Sequence, residues 1–174
     1  MSTLIEISQR LMEFEVGLGL MKAVQRPSAL SIAGIGSCVG LALRDGESRI
    51  SGLAHVILPN SDGVDDARVS PGKYSDTAVR ILTQRMTAMG ADLTRFTAKL
   101  VGGARVLSKG SFDGWKNVQS ARKELSRANI RVVAQDVGLS LGRSMRFDTA
   151  SGDITIRRYQ EINGVAELKD IIVI

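Results

Sequence analysis

The chain has 174 residues, 44% of them apolar and 24% charged, which is one domain's worth of sequence with enough apolar residues for a sizeable core. That balance excludes a disordered chain. One cysteine excludes an intrachain disulfide and a cysteine-based metal cluster, and the lack of any run of roughly 18 apolar residues excludes a transmembrane helix. The 23 basic residues against 18 acidic ones give a charge of +5, which suits an acidic partner. The basic residues are scattered, however, and the few aromatics form no stacking ladder, so nucleic acid is not the expected partner. Glu6, Glu13 and Glu15 near the start, with no basic region leading into an apolar one, argue against a secretory signal. The expected location is the cytoplasm, with no direct insertion into a membrane.

In chain order, Thr3-Leu4-Ile5-Glu6 reads as a capping box opening a short helix. Glycines then punctuate an apolar stretch from Val16 to Val24, and Arg26-Pro27-Ser28 reads as a turn. Leu30 to Ile35, Val39 to Leu43 and Ile50 to Leu58 read as strands. The last two flank the turn Arg44-Asp45-Gly46-Glu47 and form an expected hairpin. Positions 60–72 are polar and rich in turn formers, and a loop of that length is functional or mobile. Tyr74 to Met89 carries Ala78, Ile81, Leu82, Met86 and Met89 at helical spacing, with Gly90 as a stop. Phe96 to Val101 reads as a strand ending at Gly102-Gly103. Trp115 to Ala128 reads as a second helix, with Val118, Ala121, Leu125 and Ala128 on one face and Asn129 at its end. Ile130 to Ala134, Ser144 to Phe147 and Ile154 to Arg157 are further strands, the last pair joined at Ser151-Gly152-Asp153, and Leu168 to Ile174 adds an edge strand. The expected architecture is α+β: an α/β/β layered sandwich with two main helices. The chain divides into an N-terminal extension over 1–28 and a globular unit over 29–174.

Cys38 is the informative residue. It follows Gly34-Ile35-Gly36-Ser37 at the turn between two apolar strands, where glycine permits close substrate approach and backbone N–H groups can face an oxyanion. The only histidine, His55, lies on the next strand. Antiparallel pairing would make the two neighbours, with His55 as general base and acid for the thiol. From residue types alone, a buried structural thiol beside a packed histidine is the favoured account of the pattern.

The strings GIGSCVGLALRD, GLAHVILP and SPGKYSDTAV, then AKLVGGARV and the segment from Gln135-Asp136 to Phe147, resemble the chemoreceptor glutamine deamidase family of chemotaxis, CheD. The likeness spans about residues 30–158. It implies an α/β/β fold shared with toxins that deamidate GTPases. It further implies hydrolysis of glutamine side-chain amides on methyl-accepting receptors, through a thioester on Cys38 with His55 as base, and no metal or organic cofactor. The receptor's cytoplasmic helices would be the substrate, and a CheC-type phosphatase a regulatory partner. An impaired homologue acting mainly as a binding regulator of such a phosphatase is the alternative. The oxyanion donors would lie near Ser37 and Cys38.

Two positions depart from the family pattern. A threonine commonly stands six residues before the nucleophile, where this chain has Ile32. Ile32 cannot hold an imidazole, so the orienting acceptor is expected to be a main-chain carbonyl near Ala33, or the Ser31 hydroxyl through a bulge. Leu139 replaces a glycine frequent after Asp136-Val137-Gly138. Arg143 either steers an acidic receptor surface or is a solvated strand-edge residue. Lys73-Tyr74 either touch a partner or anchor the loop at a helix start. Gly102-Gly103 either border the site or merely turn the chain. Trp115 reads as half-buried or as an exposed partner contact.

Overall fold

Ten strands and two α-helices are found among the residues that the computed structural model describes, which are 11–64, 68, 70–105 and 114–174. The strands are β1 (Met12–Glu15), β2 (Met21–Val24), β3 (Ser28–Ile35), β4 (Val39–Asp45), β5 (Ile50–Val56), β6 (Thr97–Gly102), β7 (Arg131–Val137), β8 (Gly142–Asp148), β9 (Ile154–Ile162) and β10 (Val165–Val173). The helices are α1 (Ser75–Ala88) and α2 (Gly114–Arg127). One five-stranded sheet runs β1-β3-β8-β9-β10 and the other β2-β5-β4-β6-β7.

The expected layering is what forms. Both helices lie on one face of the β2-β5-β4-β6-β7 sheet, where Leu82, Met86, Val118, Ala121 and Leu125 meet Val39, Leu41, Leu43 and Leu100. The opposite face of that sheet packs on the other sheet, with Ala42, Leu53 and Val101 against Leu30, Ile32, Met145, Phe147 and Ile156. The sheet carrying β4 and β5 is therefore covered on both sides. All seven residues of β5 are buried, which is why β4 and β5 read as continuous apolar runs and not as alternating patterns.

The capping box at Thr3 to Glu6 lies outside the described residues, and from Met12 the chain is extended. The apolar stretch after it supplies one edge strand to each sheet. β1 pairs with β3 in parallel, and β2 pairs with β5 antiparallel. The predicted hairpin is present, with Val39 opposite Val56 and Asp45 opposite Ile50. Its turn is held by the buried Asp45 carboxylate, which accepts from the Glu47 and Asp92 N–H groups and from the Arg95 guanidinium. The Ile50 strand ends at Val56, short of the expected Leu58, which instead forms a single bridge with Tyr74. Two residues past the end of α2, Asn129 adopts the left-handed region at φ 55°, where asparagine is tolerated. β6, α2 and β7 form a parallel crossover unit.

Arg143 matches neither expectation made for it. It is 1% exposed, because the alternation that sends Met145 and Phe147 into the layer between the sheets sends Arg143 there too. Its Nε donates to Asp136 Oδ2 at 2.8 Å and its Nη1 to the Leu141 carbonyl at 2.9 Å. Arg158, opposite it on β9, donates to both Asp136 oxygens. Burial pushes the Asp136 pKa up, but the two guanidinium groups outweigh it and leave the carboxyl below its ordinary value.

Candidate active site

The Gly34 to Cys38 segment carries the chain from one sheet into the other, since β3 and β4 belong to different sheets. Its main chain is fastened at three successive carbonyls. Gly36 accepts from Ala104 N–H at 2.9 Å, Ser37 from the Asn117 side chain at 2.9 Å, and Cys38 from Gly103 N–H at 2.7 Å. Gly102-Gly103 thus border the Cys38 turn. Gly102 has φ 117°, and a Cβ there would strike the Cys38 carbonyl oxygen and Ile35.

His55 lies on β5 directly opposite Gly40 of β4. Cys38 is two residues before Gly40, which makes it a diagonal neighbour of His55, a relation of roughly 7–8 Å between backbones. Both belong to the layer between the sheets. Cys38 is partly buried against that layer's apolar cluster, and His55 alternates with Leu53, a member of it. His55 is 3% exposed, and neither ring nitrogen has a partner in hydrogen-bonding geometry among the described residues. Its peptide group is bracketed by the turn before β2, donating to the Leu20 carbonyl and accepting from Gly19 N–H, both at 3.0 Å.

Burial pushes the Cys38 thiol up, opposed by its own backbone N–H. Burial lowers His55, opposed by the main chain of Val16. Desolvation disfavours the charged form of each, so burial favours a neutral thiol and a neutral imidazole.

Ile32 faces this same layer. Its Cδ1 is 3.3 Å from where a Cβ on Gly40 would stand, and Gly40 is the direct partner of His55. Ser31 does not share the face. It pairs with the half-exposed Arg146 on the outward side of its sheet, and the register shift comes after Ile32. The expected carbonyl near Ala33 makes no hydrogen bond to either imidazole nitrogen. Leu139 adopts φ 61° and is 64% exposed, the left-handed conformation that glycine takes without strain. Its carbonyl accepts from Arg105 N–H at 2.8 Å.

Lys73 and Tyr74 anchor the entry to α1. The Lys73 carbonyl accepts from Ile57 and Leu58 N–H, and Tyr74 is buried. Trp115 is 42% exposed, with the Arg122 guanidinium 5.3 Å from its ring. A cleft of about 770 Å³ opens beside the turn, with Gly36, Ala104, Arg105, Leu141 and Tyr159 in its lining. No three His, Cys, Asp or Glu side chains gather as a metal site, and no helix is long and apolar enough to cross a membrane, among the described residues.

Sequence reasoning passed over Asn117. It is buried on α2, in line with Ala121 and Leu125. The signal was a polar residue on an apolar helical stripe, since a buried amide needs partners.

Residues 57–158 match the family model described as CheD chemotactic sensory transduction. The chain is 36% identical over 144 residues to the chemoreceptor glutamine deamidase CheD of Thermotoga maritima, covering 82% of this chain and 90% of that protein. It is 38% identical over 151 residues to a probable chemoreceptor glutamine deamidase CheD of Thermococcus kodakarensis, covering 84% and 93% respectively. A probable chemoreceptor glutamine deamidase CheD of Geobacillus kaustophilus is 35% identical over 163 residues, covering 90% of this chain and 96% of its own. With the glycine-flanked cysteine, the histidine strand and the two-sheet layering, these likenesses make the chain a member of the CheD family.

Proposed function

We propose that this chain is a protein-glutamine deamidase that converts glutamine side chains on the cytoplasmic helices of chemotaxis receptors to glutamate. The observation that carries the reading is the strand register that makes Cys38 and His55 neighbours in one layer. Family membership supplies the substrate class. The Cys38 sulfur attacks the amide carbon while its proton passes to His55. The oxyanion of the tetrahedral intermediate is met by backbone N–H groups at Ser37 and Cys38, donors of a kind worth a few kcal/mol each. The C–N bond then breaks, and His55 returns the proton to the departing nitrogen, releasing ammonia and leaving a thioester on Cys38. Water attacks the thioester, again giving a proton to His55, and collapse restores the thiol and frees the glutamate side chain. No step calls for a cofactor.

The test is a purified receptor cytoplasmic fragment, read by ammonia release and by the mass gain of amide-to-acid conversion at mapped glutamines. Cys38→Ala should abolish both while keeping the wild-type circular dichroism. Retained deamidation in that variant would sink the mechanism.

A second reading rests on Ile32, which offers no oxygen to the buried imidazole. In it, the chain is a weak enzyme that mainly binds and modulates a CheC-type phosphatase. A phosphatase assay with wild type and Cys38→Ala separates the two, because only regulation survives loss of the thiol.

A further inference from the structure

Asn117 touches the segments that carry both proposed catalytic residues. Its side chain is buried at the start of α2. Nδ2, which has two protons to give, donates to the Ser37 carbonyl at 2.9 Å and to the Ile57 carbonyl at 2.8 Å. Ser37 directly precedes Cys38, and Ile57 lies two residues beyond His55. A third element of the fold thus ties the nucleophile turn to the end of the histidine strand.

The first bond has a directional consequence. A trans peptide unit is planar, with its carbonyl and N–H pointing opposite ways. The Ser37 carbonyl and the Cys38 N–H belong to one such unit. Drawing the carbonyl inward to Asn117 turns the Cys38 N–H outward on the other side. The carbonyls of Gly36 and Cys38 are held by main-chain donors, Ala104 and Gly103, so the plane between them is the one fixed by a side chain.

We propose that Asn117 is a positioning residue, which fixes the Ser37–Cys38 peptide plane so that the Cys38 N–H meets the oxyanion, and holds that plane in register with the strand bearing His55. This inference rests on the Cys38 mechanism given above. An amide suits the place because it offers two donors and no charge. An aspartate would set a carboxylate against two carbonyl oxygens, and serine has one donor and too short a reach for both.

The experiment compares full-length wild type, Cys38→Ala, Asn117→Ala and Asn117→Ser. Deamidation of a receptor fragment gives kcat and KM. Iodoacetamide alkylation against pH reports on Cys38 alone, since it is the only cysteine. Both Asn117 variants should lose about ten- to a hundredfold in kcat with KM changed less than about threefold. Their alkylation profiles should move to higher pH at temperatures well below unfolding. A residue that serves only packing would lower the melting temperature and move neither readout, and that result overturns the proposal. Loss of the fold in both variants overturns it too, because Asn117 would then be structural. An inactive wild type, or an active Cys38→Ala, removes the mechanism beneath it. Working controls with unchanged kcat in the Asn117 variants defeat this inference alone.

Discussion

Gly102→Ala probes how tightly the fold grips the Cys38 turn. Gly102 ends β6 opposite Val39 and has φ 117°. A methyl group there meets the Cys38 carbonyl oxygen and the Ile35 side chain. One obstacle is main chain that is already hydrogen-bonded, and the other is packed core, so neither can swing away as a flexible side chain would. A side chain at positive φ costs about 1–2 kcal/mol, and overpacking adds roughly 1–3 kcal/mol. The total, about 2–5 kcal/mol, lowers the melting temperature by roughly 5–15 °C for a chain of this size without exceeding the stability of an ordinary domain. Gly138→Ala is the internal control. Gly138 also has positive φ, at 78°, but a Cβ there meets only Trp115 at 4.0 Å. It should show the backbone cost without the collision. Thermal unfolding gives the two stabilities, and iodoacetamide alkylation reads the Cys38 environment. Gly102→Ala should melt lower than Gly138→Ala, alter the alkylation rate and lose more than about tenfold in deamidation, since small displacements of reacting groups are costly. Equal melting temperatures and equal thiol reactivity in the two variants would refute the claim that Gly102 is demanded by the Cys38 turn.

His55 is depressed in the folded state by burial, so the unfolded chain binds its proton first as pH falls. Its contribution is intact above the unfolded pKa of about 6.5 and is lost as pH drops below that value. The melting temperature should therefore fall between about pH 7 and 5 in wild type, and His55→Gln should flatten that limb. Asp136, whose carboxyl is held below its ordinary value, contributes above about pH 4 and is lost below it. Asp136→Asn should cost about 3–5 kcal/mol in urea unfolding by leaving the fully buried Arg143 side chain uncompensated, and a change under about 1 kcal/mol would contradict that. Ile32→Thr should raise kcat with KM unchanged by adding an acceptor in the layer that holds His55, at a stability cost of roughly 1–3 kcal/mol. A flat or lower kcat would mean that the imidazole is already oriented.

The parts of the fold that showed in the sequence are those whose burial is local and periodic. β4, β5 and β6 are apolar runs, and α1 and α2 repeat apolar residues every three or four positions. β1 and β2 were not read as strands because each has four residues, too few for a period to show, and their partners β3 and β5 are set by long-range pairing. β9 runs to Ile162, well past the expected Arg157, because its far half is hydrogen-bonded to β10 while largely exposed. A strand held by its partner and not by a core leaves no hydrophobic pattern. Arg143 was misread for a related reason. A charged residue looks solvated until its counter-ion is known, and Asp136 reaches it from the other sheet. Cys38 and His55 stood out through rarity, each being the sole residue of its kind. Asn117 did not, because its two acceptors are main-chain carbonyls, which every residue has.

The same reasoning bears on how the imidazole is oriented. Ile32 adds only hydrocarbon to a layer already lined by Leu53, Met145 and Phe147. That layer favours the neutral thiol and the neutral imidazole, since burial pushes their pKa values in opposite directions away from charge. A threonine would bring an oxygen into it, whereas the isoleucine brings none. The turn before β2 holds the backbone of β5 at His55. His55 N–H donates to the Leu20 carbonyl, the His55 carbonyl accepts from Gly19 N–H, and Val16 N–H donates to the Ser31 carbonyl at 2.8 Å. Gly72 N–H closes the arrangement by donating to the Gly19 carbonyl at 2.8 Å. The main chain of the histidine strand is thus held independently of residue 32, provided that the turn at positions 16–20 keeps its shape, and the substitution at position 32 is not by itself a mark of a dead enzyme.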